Sequence, residues 1–342
     1  MSGPLTGPPP RPLLPVLGRM ALGLLLLGAG GLTAWQGVAF TPTPGLGTVT
    51  TPLSVPLDGP RPLDMAASAV LRFEGDRGDL NLVSLGPGRP EVLRGLATHR
   101  ARNPLELQVR RQGHSLDAQL TLQVQAIGQE GVVVTGPRPL QHRLDVALTP
   151  RIPLTLNART AGGDQTLDLR AVRVRALSAR TLSGDLRLTL PARIAGPVAL
   201  VTSSGAVTVS APPAAQPDAL RANTVSGDLA LDLRGARLTA LGVGSGSGDV
   251  RLSLPARAER ASVTTASGDI TVTAAPGTTG NLDVRTQTGN VTLRVPPSLP
   301  VRVRFTDRET LLRPPGRPEA AAAGLDVFVD APSQHFTLED TP

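Results

Sequence analysis

TLSGDLRLTL (residues 181–190) decides the fold, because a Ser-Gly-Asp motif leads directly into strictly alternating leucines. The same glycine recurs at successive steps of 21, 21, 22, 21, 20 and 21 residues. A constant period of this length indicates a repeat architecture in which each copy is one structural unit. The recurring glycines are Gly163, Gly184, Gly205, Gly227, Gly248, Gly268 and Gly289.

The residues around each glycine predict two short strands joined by a tight corner. Apolar and polar residues alternate after the glycine, which is typical of a strand with one buried face. Glycine permits positive φ at the corner, and a following aspartate can bond local backbone N–H groups. The predicted corner aspartates are Asp185, Asp228, Asp249 and Asp269, with Ala206 as an exception. A hydroxyl residue stands three positions before each glycine, for example Thr181 and Thr202.

One rung of two short strands cannot bury its apolar face alone. Each buried aliphatic side chain contributes about 1.5–3 kcal/mol, and this offsets the ordering entropy only when neighbouring rungs cover the face. The sequence therefore predicts an all-β fold, a stacked parallel β-solenoid of about 21-residue rungs. Residues 327–338, in which Gln334 and His335 replace Gly-Asp, are the expected C-terminal capping rung. Arg77-Gly78-Asp79 is read as a diverged first copy of the motif.

The N-terminal segment predicts one transmembrane helix before the solenoid. Residues 20–40 carry no charge, and about 20 apolar residues span a bilayer core. Arg11 and Arg19 precede the stretch, and Trp35 lies near its far end. The positive-inside rule then predicts a single-pass protein of the cell membrane, with its N-terminus in the cytoplasm and its solenoid on the extracytoplasmic side. Secretion after cleavage of a signal peptide is the alternative.

These readings divide the chain into six segments. We expect a cytoplasmic Pro-rich leader at 1–19, a transmembrane helix at 20–40 and a linker at 41–65. An N-terminal β region or cap follows at 66–150, then the repeat solenoid at 151–305. A loop and the C-terminal capping rung occupy 306–342.

Composition limits the function. The chain has 342 residues, no Cys and a net charge of +7, and none of its 34 cationic side chains is Lys. Without Cys there is no disulfide, thiol nucleophile or lipoprotein anchor. A basic exported protein is attracted to anionic polymers or lipid head groups. Nucleic acid is not expected as a partner, because aromatic residues make up only 2% of the chain.

The repeats resemble the bacterial toast-rack family of putative adhesins, whose rungs read Thr-x-Ser-Gly-Asp-hydrophobic. The resemblance is carried by residues 181–185, 224–228 and 265–269. Residues 152–169 are similar to the junction in cell-wall-stress response membrane proteins, which join an N-terminal β region to the rack. The resemblance implies an envelope-exposed solenoid with adhesive, sensory or scaffolding roles, and it implies no catalytic residues.

No catalytic, metal or cofactor site is predicted. One Asp per rung offers too few oxygen ligands for calcium. The four histidines lack metal-ligand spacing and are expected to be solvated. Ser203-Ser204-Gly205 lacks the helix that a nucleophile elbow needs.

The candidate functional residues are arginines. Their closeness in sequence favours either a solvated basic face or a contact with an anionic polymer. The residues are Arg170, Arg173, Arg175, Arg180, Arg187 and Arg193.

The sequence therefore predicts a non-enzymatic, membrane-anchored envelope protein that presents a β-solenoid for adhesion or for interaction with another envelope component. The alternative is a sensory or regulatory partner of an envelope-stress signalling system. An anionic envelope polymer or another envelope protein is the expected partner beyond the membrane itself.

Overall fold

The computed structural model describes residues 47–58, 66–123, 142–213, 215–306, 324–331 and 335–341. The regular elements of these residues are β-strands, so the predicted all-β class is confirmed. In chain order the strands are β1 (Thr48–Pro56), β2 (Ser68–Arg77), β3 (Asp79–Ser84), β4 (Glu91–Arg100), β5 (Leu105–Gln112), β6 (Ser115–Leu122), β7 (Arg143–Leu148), β8 (Leu154–Gly162), β9 (Gln165–Asp168), β10 (Val174–Ser183), β11 (Leu186–Thr189), β12 (Val198–Ser204), β13 (Val207–Ser210), β14 (Ala219–Ser226), β15 (Leu229–Asp232), β16 (Arg237–Ser247), β17 (Val250–Ser253), β18 (Arg257–Ser267), β19 (Ile270–Thr273), β20 (Thr279–Thr286), β21 (Val291–Val295), β22 (Val301–Phe305), β23 (Leu325–Asp330) and β24 (Phe336–Asp340).

The strands form two sheets of twelve. Sheet A has the order β1-β4-β7-β3-β9-β11-β13-β15-β17-β19-β21-β24, and sheet B has the order β22-β23-β20-β18-β16-β14-β12-β10-β8-β2-β6-β5. Each rung places one strand in each sheet, and successive rungs pair parallel and in register, as Leu177 with Val198 and Leu186 with Val207. The inward aliphatic residues of all rungs join one continuous core.

The recurring glycines lie in a file along one edge of the stack, which begins at Gly78 and passes through each repeat glycine to Gly289. A Cβ added to Gly248 would lie 2.1 Å from the carbonyl oxygen of Gly227, and the same obstruction recurs along the file. Six of the seven repeat glycines have positive φ, from 105° at Gly163 to 156° at Gly227 and Gly248. The close approach of successive corners, more than φ alone, therefore requires glycine.

The residue after each glycine forms a second file. The Asp164 carboxylate accepts the backbone N–H of Asp185 at 2.9 Å, and Asp185 in turn accepts that of Ala206 at 2.9 Å. The same bond links Asp228 to Asp249 and Asp249 to Asp269. Each carboxylate thus bonds the next rung, whereas the sequence suggested a purely local bond. Ala206 has no carboxylate to offer Asp228.

The predicted hydroxyl row is buried beside the glycine file. Thr224 Oγ1 donates to the carbonyl of Gly205 at 3.3 Å, and Ser245 Oγ donates to that of Gly227 at 3.1 Å. Thr202 and Thr265 bond the preceding corner in the same way, whereas Thr181 donates to the carbonyl of Ser183 in its own rung. Where it forms, the bond gives a corner a third link to its neighbour. The row is Thr160, Thr181, Thr202, Thr224, Ser245, Thr265 and Thr286.

The N-terminal end does not stack in chain order. The diverged copy at Gly78 forms the rung β2–β3, as predicted, and this rung lies between β8–β9 and the later β6–β7. Beyond it, β5, β4 and β1 pair antiparallel. Residues 48–56, expected to be linker, form β1, so that expectation is wrong for them. Proline at Pro52 and Pro56 suits this outermost strand, since proline cannot donate to a further neighbour.

The predicted C-terminal rung consists of β23 and β24, which pair parallel with β20 and β21. In sheet B, β22 is the outermost strand at this end, and β23, which follows it in the chain, lies between β22 and β20. Phe305 and Phe336 meet edge to face with their ring centroids 5.1 Å apart. These larger side chains cover the end of the aliphatic core.

The leader and the transmembrane helix fall outside the described residues. Among the residues that the structure describes, no helix is long and apolar enough to cross a membrane. The leader at 1–19 and the anchor at 20–40 remain predictions.

Two glycines of β16–β17 provide a test of the corner. We expect Gly248→Ala to lower the free energy of unfolding by about 2–3 kcal/mol, because its Cβ would overlap a backbone carbonyl that cannot move independently. Gly242→Ala is the matched control: its Cβ meets only Arg221 Cγ at 3.6 Å, so it should raise stability by about 0.5–1 kcal/mol. Urea unfolding of both variants measures the difference. Equal effects would contradict the claim that the close approach of successive corners requires glycine.

The gap at Ala206 provides a second test. Ala206→Asn should raise the free energy of unfolding by about 1 kcal/mol, because an amide oxygen would accept the N–H of Asp228. Asn290 already occupies the equivalent position in another rung. Ala206→Asp should gain less at low salt, since it adds a like charge beside Asp185 and Asp228, and the difference should shrink as salt rises. Thermal unfolding at two salt concentrations measures this difference. If neither variant is more stable than the unaltered protein, the aspartate file does not stabilise the stack as described.

Candidate functional site

The outward face of sheet A neutralises its own charge. Arg187 reaches the carboxylates of Asp164 at 3.3 Å and Asp185 at 2.7 Å, so it spans two rungs of the aspartate file. Arg251 spans Asp228 and Asp249 in the same way, at 4.0 and 3.2 Å. These guanidinium groups offset the repulsion between stacked carboxylates.

Further ion pairs on this face are local. Arg170 pairs with Asp168 at 2.6 Å, and Arg234 pairs with Asp232 at 2.6 Å. The hydrogen bond from each guanidinium lowers the pKa of its aspartate below the ordinary value. The carboxylates therefore stay ionised at neutral pH, and little uncompensated charge is left for a ligand.

The outward face of sheet B is different. Its strands from β8 to β18 contain one carboxylate, that of Glu259, which lies 3.7 Å from Arg257. Six other arginines of these strands are exposed, and none forms an ion pair within the described part of the chain. They are Arg159, Arg175, Arg180, Arg221, Arg237 and Arg260.

Strand register arranges three of these arginines on a diagonal. Arg180 shares a row with Asn223, two rungs on, and Arg221 lies two residues before Asn223. Arg221 shares a row with Ser262, again two rungs on, and Arg260 lies two residues before it. With strands about 4.8 Å apart and a rise of about 3.3 Å per residue, each diagonal step is about 12 Å. The result is a regular line of positive charge across the sheet.

A groove of about 1050 Å³ lies on the same face, over β14, β16, β18 and β20 and beside β23. Gly242 and Gly244 form its floor, so no side chain fills the space above β16. Arg221 and Arg260 lie on the two sides of this floor, together with polar side chains. The neutral polar lining residues are Asn223, Ser262, Thr264 and Asn281. The lining also contains two carboxylates, each beside an arginine: Asp283 lies 2.7 Å from Arg285, and Asp326 lies 3.6 Å from Arg302.

The glycine at 242 is not required by the backbone. It lacks the positive φ of the corner glycines, and an added Cβ would make only an ordinary contact at 3.6 Å. A glycine inside a strand costs about 0.5–1 kcal/mol relative to alanine. Glycine at position 242 thus keeps the floor of the groove open at a cost in local stability. This marks the groove as a candidate binding site.

The six arginines predicted from sequence do not share a surface, so the prediction of one face is wrong. Arg187 lies on sheet A, and Arg170, Arg173 and Arg193 lie in turns between strands. Arg175 is at the start of β10, and only Arg180 belongs to the diagonal. The rung period separates neighbours in sequence and brings together residues about 40 apart. Sequence analysis missed Arg221 and Arg260, although comparing outward positions rung by rung would have found them.

Two histidines are buried, contrary to the expectation that all four are solvated. His142 Nδ1 lies 2.8 Å from the carbonyl oxygen of Arg77, and its Nε2 lies 2.7 Å from Asn103 Nδ2. The backbone carbonyl of His142 accepts the N–H of Asp79, so this residue ends the corner file. Burial, aided by nearby Arg100, lowers the pKa of His142 below its ordinary value.

No group of three or more His, Cys, Asp or Glu able to hold a metal ion occurs within the described ranges. The stacked aspartates instead use one carboxylate oxygen each to accept a backbone N–H.

Comparison with known proteins supports the repeat reading. Residues 155–239 match the family model Toastrack DUF4097. The toast-rack resemblance is confirmed. No curated protein matches the sequence.

Several solved structures align with most of the chain. A putative adhesin from Parabacteroides distasonis ATCC 8503 is 10% identical, with 86% of this chain and 97% of that chain covered and a TM-score of 0.42. A putative adhesin from Bacteroides fragilis NCTC 9343 is 11% identical, with 88% and 100% covered and a TM-score of 0.39. A putative lipid binding protein from Parabacteroides distasonis ATCC 8503 is 11% identical, with 86% and 97% covered and a TM-score of 0.38. At these values the likenesses carry no functional argument.

The lowered pKa of His142 predicts acid sensitivity. Its neutral form is favoured in the folded state, so acidification protonates the unfolded chain first. Its contribution to stability is fully present above the unfolded pKa of about 6.5 and is lost as the pH falls below it. We expect His142→Gln to have a shallower loss of melting temperature between about pH 6.5 and 5 than the unaltered protein. His114→Gln, which removes an exposed histidine, should retain the full loss, and equal slopes in all three proteins would contradict the assignment.

Proposed function

We propose that this protein is a non-enzymatic interaction module of the cell envelope, which presents the outward face of sheet B to an anionic envelope component. The observation that carries the proposal is the contrast between the two faces. Sheet A pairs its arginines with carboxylates, whereas sheet B leaves Arg159, Arg180, Arg221 and Arg260 without such partners.

The distribution of charge favours an extended partner. From β8 to β18 the sheet spans five strand spacings, or about 24 Å. Arg159 lies in register between Glu74 of β2 and Arg180 of β10, so a carboxylate of the protein itself adjoins this end of the row. Arg180, Arg221 and Arg260 have no carboxylate as an in-register neighbour, and a partner with repeated negative charges would engage this diagonal at several points.

The architecture suits adhesion. Each rung is held by its neighbours in both sheets, so the face is a rigid surface that needs little ordering when it binds, and pre-organisation of this kind favours affinity. The uncharged stretch at residues 20–40 would tether this surface to the membrane, with the rack on the outer side. Attachment would keep many copies of the same face close to the envelope.

Binding of the full-length protein, purified in detergent, to isolated cell envelopes tests the proposal. Replacing Arg159, Arg180, Arg221 and Arg260 by Gln should weaken retention by about tenfold or more, since each exposed contact contributes a few tenths of a kcal/mol. The matched control replaces four paired arginines of the sheet A side by Gln: Arg143, Arg170, Arg234 and Arg294.

Both variants lose the same formal charge, so the control should retain most of the binding if the face matters. Equal losses in the two variants would show that only net charge acts. Unchanged retention in both would rule out this face as the binding surface.

A further inference from the structure

The groove on sheet B is open because a strand between two arginine-bearing strands presents glycine at its outward positions. Gly242 shares a row with Arg221 on one side and Ser262 on the other, and Gly244 shares the next row with Asn223 and Thr264. Arg260 lies two residues before Ser262. The floor is therefore backbone, and a guanidinium group borders it on each side.

The two carboxylates of the lining, Asp283 and Asp326, are already paired with arginines, and the remaining polar lining matches hydroxylated chains. Asn223 and Asn281 offer both donors and acceptors, and the hydroxyls of Ser262 and Thr264 do the same. Phe328, 38% exposed, adds one aromatic side chain at the end of the groove. Guanidinium groups bind carboxylates and phosphates through paired hydrogen bonds.

Other extended polymers fit less well. A peptide cannot add as a strand to the face of a sheet, because the backbone groups there are already paired within the sheet. Single-stranded nucleic acid binds through successive aromatic side chains, and the groove lining contains only Phe328.

We propose that a linear anionic polysaccharide lies in this groove, with its backbone over Gly242 and Gly244 and its anionic groups at Arg221 and Arg260. This rests on the proposed function and names the ligand of the same face. The glycines let the chain approach the sheet backbone closely, and the two arginines fix its charged groups one diagonal step, about 12 Å, apart.

Polygalacturonate is the probe, and its binding to the full-length protein is measured at low and at moderate salt. Gly242→Thr should weaken binding by about tenfold, because the side chain fills the floor while a β-branched residue suits an exposed strand position. Its melting temperature should stay the same or rise. Ala230→Thr, which places the same side chain on the outward face of sheet A, should leave binding unchanged.

The double replacement Arg221→Gln and Arg260→Gln should weaken polygalacturonate binding and reduce its salt dependence. Neutral dextran should bind weakly to every variant. Poly-glutamate should bind less tightly than polygalacturonate and should be insensitive to Gly242→Thr.

The outcomes separate the two proposals. If envelope retention depends on the sheet B arginines but Gly242→Thr leaves polygalacturonate binding intact, the groove is not the polysaccharide site. The proposal that the outward face of sheet B binds the envelope then still stands. If poly-glutamate binds as tightly and with the same dependence on Gly242, the ligand is an acidic peptide and the polysaccharide is excluded. If neither probe nor envelope depends on these arginines, both proposals are overturned.

Discussion

The close stacking of Gly-Asp corners is the constraint on which the rest of the structure depends. A corner can lie directly on its neighbour only because no Cβ projects toward the preceding carbonyl: at Gly205 it would lie 2.1 Å from the oxygen of Gly184. That approach lets the aspartate carboxylate and the buried hydroxyl each bond a neighbouring rung. Once the corners are in register, the short strands on both sides follow, and their aliphatic residues close into one core.

The same constraint distributes charge between the faces. Stacked aspartates repel one another, and arginines on sheet A, such as Arg187 and Arg251, offset that repulsion. Sheet B carries no corner carboxylates, so its arginines stay available. The difference between a self-neutralised face and a positively charged one is therefore a consequence of how the corner is built, and the proposed binding surface follows from it.

Much of the repeat region could be predicted from sequence, because a fixed period and a two-residue alternation state which residues stack and which face inward. The ends could not, because β2–β3 and β22 depart from chain order and β1 forms in a proline-rich stretch. The arginine site was missed for a related reason: closeness in sequence was used where register decides. Arg221 and Arg260 meet across one groove only after the rungs stack. His142 was missed because its burial depends on contacts with Arg77 and Asn103, which are distant in sequence.

Hydrogen exchange of the corner amides tests the stacking most directly, since these N–H groups are bonded between rungs. The account predicts that peptides covering Gly184, Gly205 and Gly227 exchange slowest, near the rate set by global unfolding, and that protection falls toward β5 at one end and β22 at the other. Rapid exchange at the interior corners, comparable with that of the end strands, would contradict the account.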